Sequence, residues 1–448
     1  MKQLLRILFI FIIPYIASGQ TPGVVADTVR CLADPKQSYA LYVPRGYYPS
    51  SHVPGLIFLF EPGARGKLPV NLYKELADKY NMVLACSNNS RNGPVQESMK
   101  AAEAVLKDVF SRVAVNRKFI VVSGFSGGGR TAVHMAITSP LFAGVITCGA
   151  ALPSQKAITT ENIPFAEVIG REDMNYQEAL IADEYLQNLG KENTLLMFDG
   201  GHEWPPPESY ENALVWHYLR FSDNDTIANA NFKSRFDDVV VQVDSGNLAE
   251  ADRMLMQLRR DFKQPLFVLK MDSLAGRIAA NKKLRSQVKD AARMNERERF
   301  MQKDVSDQYV KHIAYSAPDS AFKPEYWNTF RRDCEKLMSS DEKYKALAGA
   351  RLLDFAWRMC AEQHYMYMEY DQFRQAAMAA RIWSTLLTDR PGPCVQAAKA
   401  FALQGRKDEM MNYLRMAIDR GLKDKAVVKD DRAFARYATD RRFQDLLR

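Results

Sequence analysis

The sequence predicts an α/β fold, a mostly parallel sheet sandwiched by helices, followed by an all-α helical-repeat region. From Gln37 to about Leu219, short runs of strand formers alternate with helical patterns, the signature of a sheet covered on both faces. Beyond the polar break Ser222-Asp223-Asn224-Asp225-Thr226 the strand signal nearly disappears and long amphipathic helices take over. At 448 residues the chain also exceeds one ordinary core, which suggests roughly two or three domains. The expected division is a leader over 1–19, a sheet domain over 20–222 and a helical region over 223–448.

The leader combines Lys2 and Arg6, an apolar run from Ile7 to Ile16, and Ala17-Ser18-Gly19 before Gln20. A basic segment, a short apolar core and a small-residue cleavage site form the pattern of an export signal. The apolar run falls short of the ~20 residues a spanning helix needs, so stable membrane insertion is not expected. The mature chain should therefore begin near Gln20, in a periplasmic or extracellular location.

Strands are expected over Ser38 to Val43, Gly55 to Phe60, Met82 to Cys86, Phe119 to Ser123, Val145 to Cys148, Phe165 to Ile169 and Thr194 to Phe198. Between them Met99, Ala102, Leu106, Val109 and Val113 recur at helical spacing, a helix is expected from Thr131, and Tyr210 to Phe221 reads as a closing helix. Six cysteines form no CxxC pair of the zinc-binding kind, and no metal site is expected. Cys86 and Cys148, at strand ends, should be buried thiols, while Cys334 and Cys360 could pair in an oxidising compartment.

In the helical region, "VDSGNLAEADRML" and "AKAFALQGRKDEMMNYLRMAI" each carry a glycine at an expected helix-to-helix turn, Gly246 and Gly405. Ala398, Phe401, Gly405, Leu414 and Ala417 fall at the offsets where paired helices touch, and "WSTLLTDRP" closes the preceding unit. This pattern resembles a tetratricopeptide array, although its register drifts and Gln264 to Met338 carries no repeat signature. Such arrays offer a concave face to a peptide or protein partner.

The chemistry concentrates in "VVSGFSGGGRTAVHMA". Gly124-Phe125-Ser126-Gly127-Gly128 fits G-x-S-x-G, at the exit of one strand and the entry to a helix. A serine on so sharp a turn presents its hydroxyl to a carbonyl, and small residues two before and two after let strand and helix pass closely. The N–H of Gly127 would then face the oxygen that becomes negative. Serine needs a base, and of six histidines His202, in "FDGGHEWPP", follows a strand in an irregular loop. The carboxyl ends of strands are where open α/β sheets gather their active groups. The acid expected between them is Asp173 in "FAEVIGREDMNY", with Glu172 as its close rival.

Through these motifs, Gln37 to Phe221 resembles the α/β-hydrolase superfamily, and within it the secreted esterases related to feruloyl esterases and polyhydroxybutyrate depolymerases. "GFSGGG" is similar to the nucleophile turn of that branch and "GGHEWP" to its histidine loop. The resemblance implies hydrolysis of a carboxylic ester, on a small molecule or an acylated polymer, through an acyl-enzyme and without a cofactor. One departure is the stretch Glu61-Pro62-Gly63-Ala64-Arg65-Gly66 where such enzymes carry His-Gly. Gly63 or Ala64 could still donate the second oxyanion N–H, provided Glu61 is turned away or paired, with Arg65 for example. Arg65, Arg130 and Trp204 are candidates for substrate binding, the arginines having a structural salt bridge as their alternative role.

Two other readings stay open: a prolyl-oligopeptidase type of peptidase using the same residues, and a binding protein that works through its helices. Nucleic acid is not an expected partner. Lys and Arg balance Asp and Glu through Ser222, so the net charge of +8 belongs to the helical half. That half shows neither an RNA-binding motif nor aromatic residues interleaved with basic ones. The two halves are expected to be separable, so residues 20 to about 225 should fold and hydrolyse small esters at a rate similar to the full chain. The competing possibility is that the helical half packs over the pocket as a lid, so that truncation changes small-ester turnover itself.

Overall fold

The structure, a computed structural model, describes residues 20–48, 53–152, 162–222, 224–313 and 322–448. The expected export segment 1–19, His52 and Asp223 of the polar break lie outside the described residues. By its internal contacts the chain divides into two compact units. The first runs to Val168 and resumes over Ala182–Leu196 and Trp204–Asn224; the second comprises Ile169–Ile181, Met197–Glu203 and Asp225–Arg448.

The sheet has eight strands: β1 Val25–Arg30, β2 Ser38–Tyr42, β3 Gly55–Phe60, β4 Met82–Ser87, β5 Ile120–Phe125, β6 Gly144–Cys148, β7 Phe165–Gly170 and β8 Asn193–Phe198. Their order is β1-β2-β4-β3-β5-β6-β7-β8. The first two pairings are antiparallel, and those joining β4, β3, β5, β6 and β7 are parallel. Five helices connect or follow the strands: α1 Lys67–Tyr80, α2 Val95–Arg112, α3 Gly127–Thr138, α4 Tyr176–Asn188 and α5 Pro207–Tyr218. This is an α/β-hydrolase fold.

The apolar runs explain themselves. Every residue of β3, β4 and β6 is buried, as expected of parallel strands covered on both faces. Leu56, Phe58 and Phe60 share a cluster with Ala102 and Val105 of α2 and Val133 of α3. On the other side Tyr73 of α1 stacks on Tyr210 of α5, with ring centroids 4.0 Å apart. The chain moves from β3 to its neighbour β4 and then crosses back to β5 on the opposite side of β3. The carboxyl ends of β3 and β5 therefore flank a topological switch point, where such sheets bind ligands.

Two sequence expectations need correction. β1 was not expected: it is a half-exposed edge strand with a register irregularity between Ala26 and Val29, so it shows no clean alternation. Helix α3 begins at Gly127, four residues before the expected Thr131. Glycine's poor helix propensity hid that start, which the fold imposes by continuing the helix directly from the serine turn.

The helical region contributes α6 Asp225–Asp244, α7 Leu248–Asp261, α8 Pro265–Ala279, α9 Leu284–Ile313, α10 Pro324–Met338, α11 Lys343–Glu369, α12 Phe373–Leu386, α13 Gly392–Leu403 and α14 Lys407–Asp419, before short terminal helices. From α10 to α14 each helix packs against the next. Gly246 and Gly405 stand at helix-to-helix turns with φ of 76° and 78°, a backbone shape that favours glycine. Ala398, Phe401, Leu414 and Ala417 lie in one buried cluster with Ala376. All six cysteines are free and buried, Cys334 and Cys360 included.

Candidate active site

Ser126 follows β5 directly and caps α3 with φ 53° and ψ −126°, a conformation strained for any residue with a side chain. Three backbone hydrogen bonds fix it: its N–H donates to the Cys148 carbonyl at 2.8 Å, and its carbonyl accepts from the Gly129 and Arg130 N–H groups at 2.9 and 3.3 Å. The flanking glycines are sterically required. A Cβ on Gly124 would sit 2.3 Å from the carbonyl oxygen of Gly128, and one on Gly128 the same distance from that of Phe60. Gly127 is the first residue of α3, so its N–H is one of the helix's unpaired N-terminal donors. A Cβ there would lie 1.9 Å from Asn92 Oδ1, which shows the Asn92 carboxamide lying against the glycine face. Sequence reasoning missed Asn92, because nothing in "NNSRNGP" relates it to the serine turn.

The loop after β3 corrects one expectation. Gly63 donates its N–H to Glu61 Oε2 at 2.7 Å, Arg65 does so at 2.9 Å, and Ala64 N–H meets the Glu61 carbonyl at 3.3 Å. Neither Gly63 nor Ala64 faces an oxyanion in this arrangement, because a buried carboxylate draws the turn around itself. Glu61 is 1 % exposed and its charge is met by the Arg65 guanidinium at 2.9 Å. Arg65 thus takes the structural role, while Arg130 sits half-buried on the first turns of α3. Trp204 packs between Tyr73 and Phe125, with centroids 5.9 and 5.5 Å away, and Tyr73 Oη donates to the Pro205 carbonyl at 2.9 Å.

In the second unit, the loops after β7 and β8 run together. Arg171 and Glu172 donate their N–H groups to the Phe198 and Gly200 carbonyls, both at 2.9 Å. Gly170 permits that approach, since a Cβ there would lie 2.4 Å from two carbonyl oxygens, those of Gly200 and Gly201. Asp173, fully buried, accepts from Asn175 N–H at 2.8 Å, and both its oxygens lie 2.9 Å from His202 Nδ1. Glu172 is exposed. A carboxylate can only accept, so Nδ1 carries the proton and Nε2 is left as the basic nitrogen.

Three other histidines are occupied elsewhere. His217 is fully buried, bonded through Nε2 to the Val145 carbonyl at 3.1 Å, and burial depresses its pKa to about 3. His364 lies between the Ala376 carbonyl and Gln396 Oε1, and His312 accepts from Trp327 Nε1 at 3.1 Å. Among the described residues, no group of three or more His, Cys, Asp or Glu is arranged to hold a metal ion.

A strained serine at the switch point of an α/β-hydrolase sheet, with a family match over the same residues, gives the class: this protein is an enzyme, a serine hydrolase. Residues 80–211 match the model of the phospholipase/carboxylesterase family, which makes the ester bond the bond class in question. Similar solved structures include S-formylglutathione hydrolase from Staphylococcus aureus, 13% identical with a TM-score of 0.37, the match covering 43% of this chain and 97% of that one. Another is a ferulic acid esterase, 15% identical over 44% of this chain and 96% of its own, with a TM-score of 0.35. Esterase B from Lactobacillus rhamnosis is 15% identical over 48% and 90%, with a TM-score of 0.37. No curated protein matches the chain at a significant level.

Proposed function

We propose that the protein is an exported carboxylic-ester hydrolase in which Ser126, His202 and Asp173 act as one catalytic triad. The observation that carries this reading is the contact of Trp204 with Phe125: Trp204 follows His202 by two residues, and Phe125 directly precedes Ser126. The contact joins the sequence neighbours of the proposed base and nucleophile, which supports assigning both to one site. His202 Nε2 takes the hydroxyl proton as Ser126 Oγ attacks the ester carbonyl, and Asp173 steadies the imidazolium that forms. The same proton passes to the departing alcohol; water then repeats the sequence on the acyl-enzyme. Gly127 N–H meets the oxyanion; a turn of the Asn92 carboxamide, whose Oδ1 lies nearest Gly127, brings its NH2 to the same oxygen as the second donor that the loop after β3 withholds. Trp204 Nε1, buried without an acceptor among the described residues, offers a donor to substrate oxygen.

The N-terminal segment 1–19 is the export signal in this reading, and the helical region is a tetratricopeptide-like array that places the enzyme or its substrate. Labelling with a fluorophosphonate and mapping the adduct tests the chemistry. The adduct is expected on Ser126, and Ser126→Ala should lower short-acyl esterase activity by about 10⁴-fold with the fold intact. Activity within tenfold of the parent would remove this serine from the mechanism. The same assay should show Asn92→Ala lowering kcat by about 10²-fold with KM little changed, and an unchanged kcat would leave the second donor elsewhere.

A further inference from the structure

Arg351, on α11, is buried and uses its whole guanidinium. Nε and Nη2 form a fork onto both carboxylate oxygens of buried Glu298 on α9, at 2.7 and 2.6 Å, and Nη1 donates to the backbone carbonyl of Arg171 at 2.7 Å. That carbonyl lies two residues before Asp173. Three residues after Asp173, the ring of Tyr176 lies against the same guanidinium, 4.1 Å from centroid to Cζ. Glu298 Oε2 also accepts from Gln177 Nε2 at 2.8 Å, and Gln302 Nε2 reaches the Met174 carbonyl at 3.3 Å. The segment 171–177 is thus tied on both sides of Asp173 to α9 and α11. Asp354, one turn beyond Arg351, lies within the electrostatic reach of both His202 and Asp173; burial raises its carboxyl's pKa against the pull of Arg358.

A buried ion pair is a poor source of stability compared with apolar packing of the same volume, and its best-attested use is to fix one geometry. We infer that Arg351, held by Glu298, is a positioning residue that sets the backbone carrying Asp173 and so the aim of His202. The inference rests on the catalytic reading of those two residues. A carbonyl bonded to a guanidinium that is itself locked by its fork onto Glu298 has little room to drift, and misplacement of a catalytic group by about 1 Å can cost 10²-fold in rate.

The decisive variant in the full-length chain is Arg351→Met with Glu298→Leu, which removes both buried charges together and leaves neither unpaired. Its thermal transition should be retained, its kcat on a short-acyl ester should fall about 10- to 100-fold, and its KM should stay within about twofold. Arg351 also lines a cavity of about 440 Å³, so small solutes can reach the gap left by Arg351→Gly. Guanidinium at millimolar concentration should restore part of its kcat, and ammonium should not. A double variant with parental kcat, or a loss that appears in KM or in the thermal transition instead, overturns the positioning role. Ser126→Ala and Asp173→Asn run alongside separate the two failures: if either keeps parental activity the catalytic reading has failed, and if both are inactive the outcome bears on Arg351 alone.

Discussion

At the scale of single residues, the acid and its rival differ in surroundings more than in chemistry. Asp173 is sealed from solvent with both oxygens on His202, while Glu172, its neighbour, points to solvent. A carboxylate that loses its charge while keeping its shape no longer holds the histidine in the right tautomer. Asp173→Asn should therefore lower kcat by about 10³- to 10⁴-fold, while Glu172→Gln should leave it within about threefold. Steady-state kinetics on one activated ester checks the pair, and the reverse order would reassign the acid. Glu61 shows the opposite lesson. Its charge looked hostile to an oxyanion in the sequence, yet the fold turns it onto Gly63, Arg65 and its own loop.

At the scale of elements, the junction of β5 and α3 is governed by contact distances. Gly128 lies against the Phe60 carbonyl of β3, and that oxygen belongs to a buried strand with no room to retreat. Gly128→Ala should destabilise the protein by about 2–4 kcal/mol, as overpacking and backbone shifts do, and should lower activity with it. Urea unfolding of the variant measures this; an unchanged midpoint would mean that strand and helix part more easily than the packing implies. On α7, Glu250 is paired with Arg253 and Arg171 at 2.9 and 2.8 Å. Burial works to raise its pKa, but the two arginines prevail and hold it near 2 against a reference of 4.5. A depressed pKa stabilises the fold above the unfolded value and that stability is lost on acidification. The helical unit should weaken as the pH falls from about 4.5 towards 2, and Glu250→Gln should flatten that part of the curve in melting experiments. An unchanged slope would show that other carboxylates dominate the acid limb.

At the scale of the whole molecule, the two compact units do not follow the polar break alone. The segments 169–181 and 197–203, which carry Asp173 and His202, take their contacts with residues 225–448. Arg351 and Glu298, which brace the first of these segments, both lie beyond residue 225. A chain ending near Asp225 should therefore hydrolyse a small ester at least about 100-fold more slowly than the full chain, because the acid loop loses the geometry that proton transfer needs. Measuring kcat/KM of both chains on the same ester decides the matter. Equal rates would restore the picture of a self-sufficient sheet domain with a separable helical array.

The sequence by itself determined the alternation that builds the sheet, the serine turn and the onset of helices. Each is written in local terms: apolar runs bounded by polar turns, three glycines beside one serine, and 3.6-residue periodicity. It also marked Ser126, Asp173 and His202 as candidates by their order along the chain and their places after strands. Only the tertiary structure decided which carboxylate holds His202, that Glu61 consumes the N–H groups of its own loop, and that Asn92 lies against Gly127. The same holds for Arg351 and Arg171, which are 180 residues apart. Pattern and propensity act over a few residues, whereas a hydrogen bond between distant segments has no local signature. Its partners are chosen by how the elements pack.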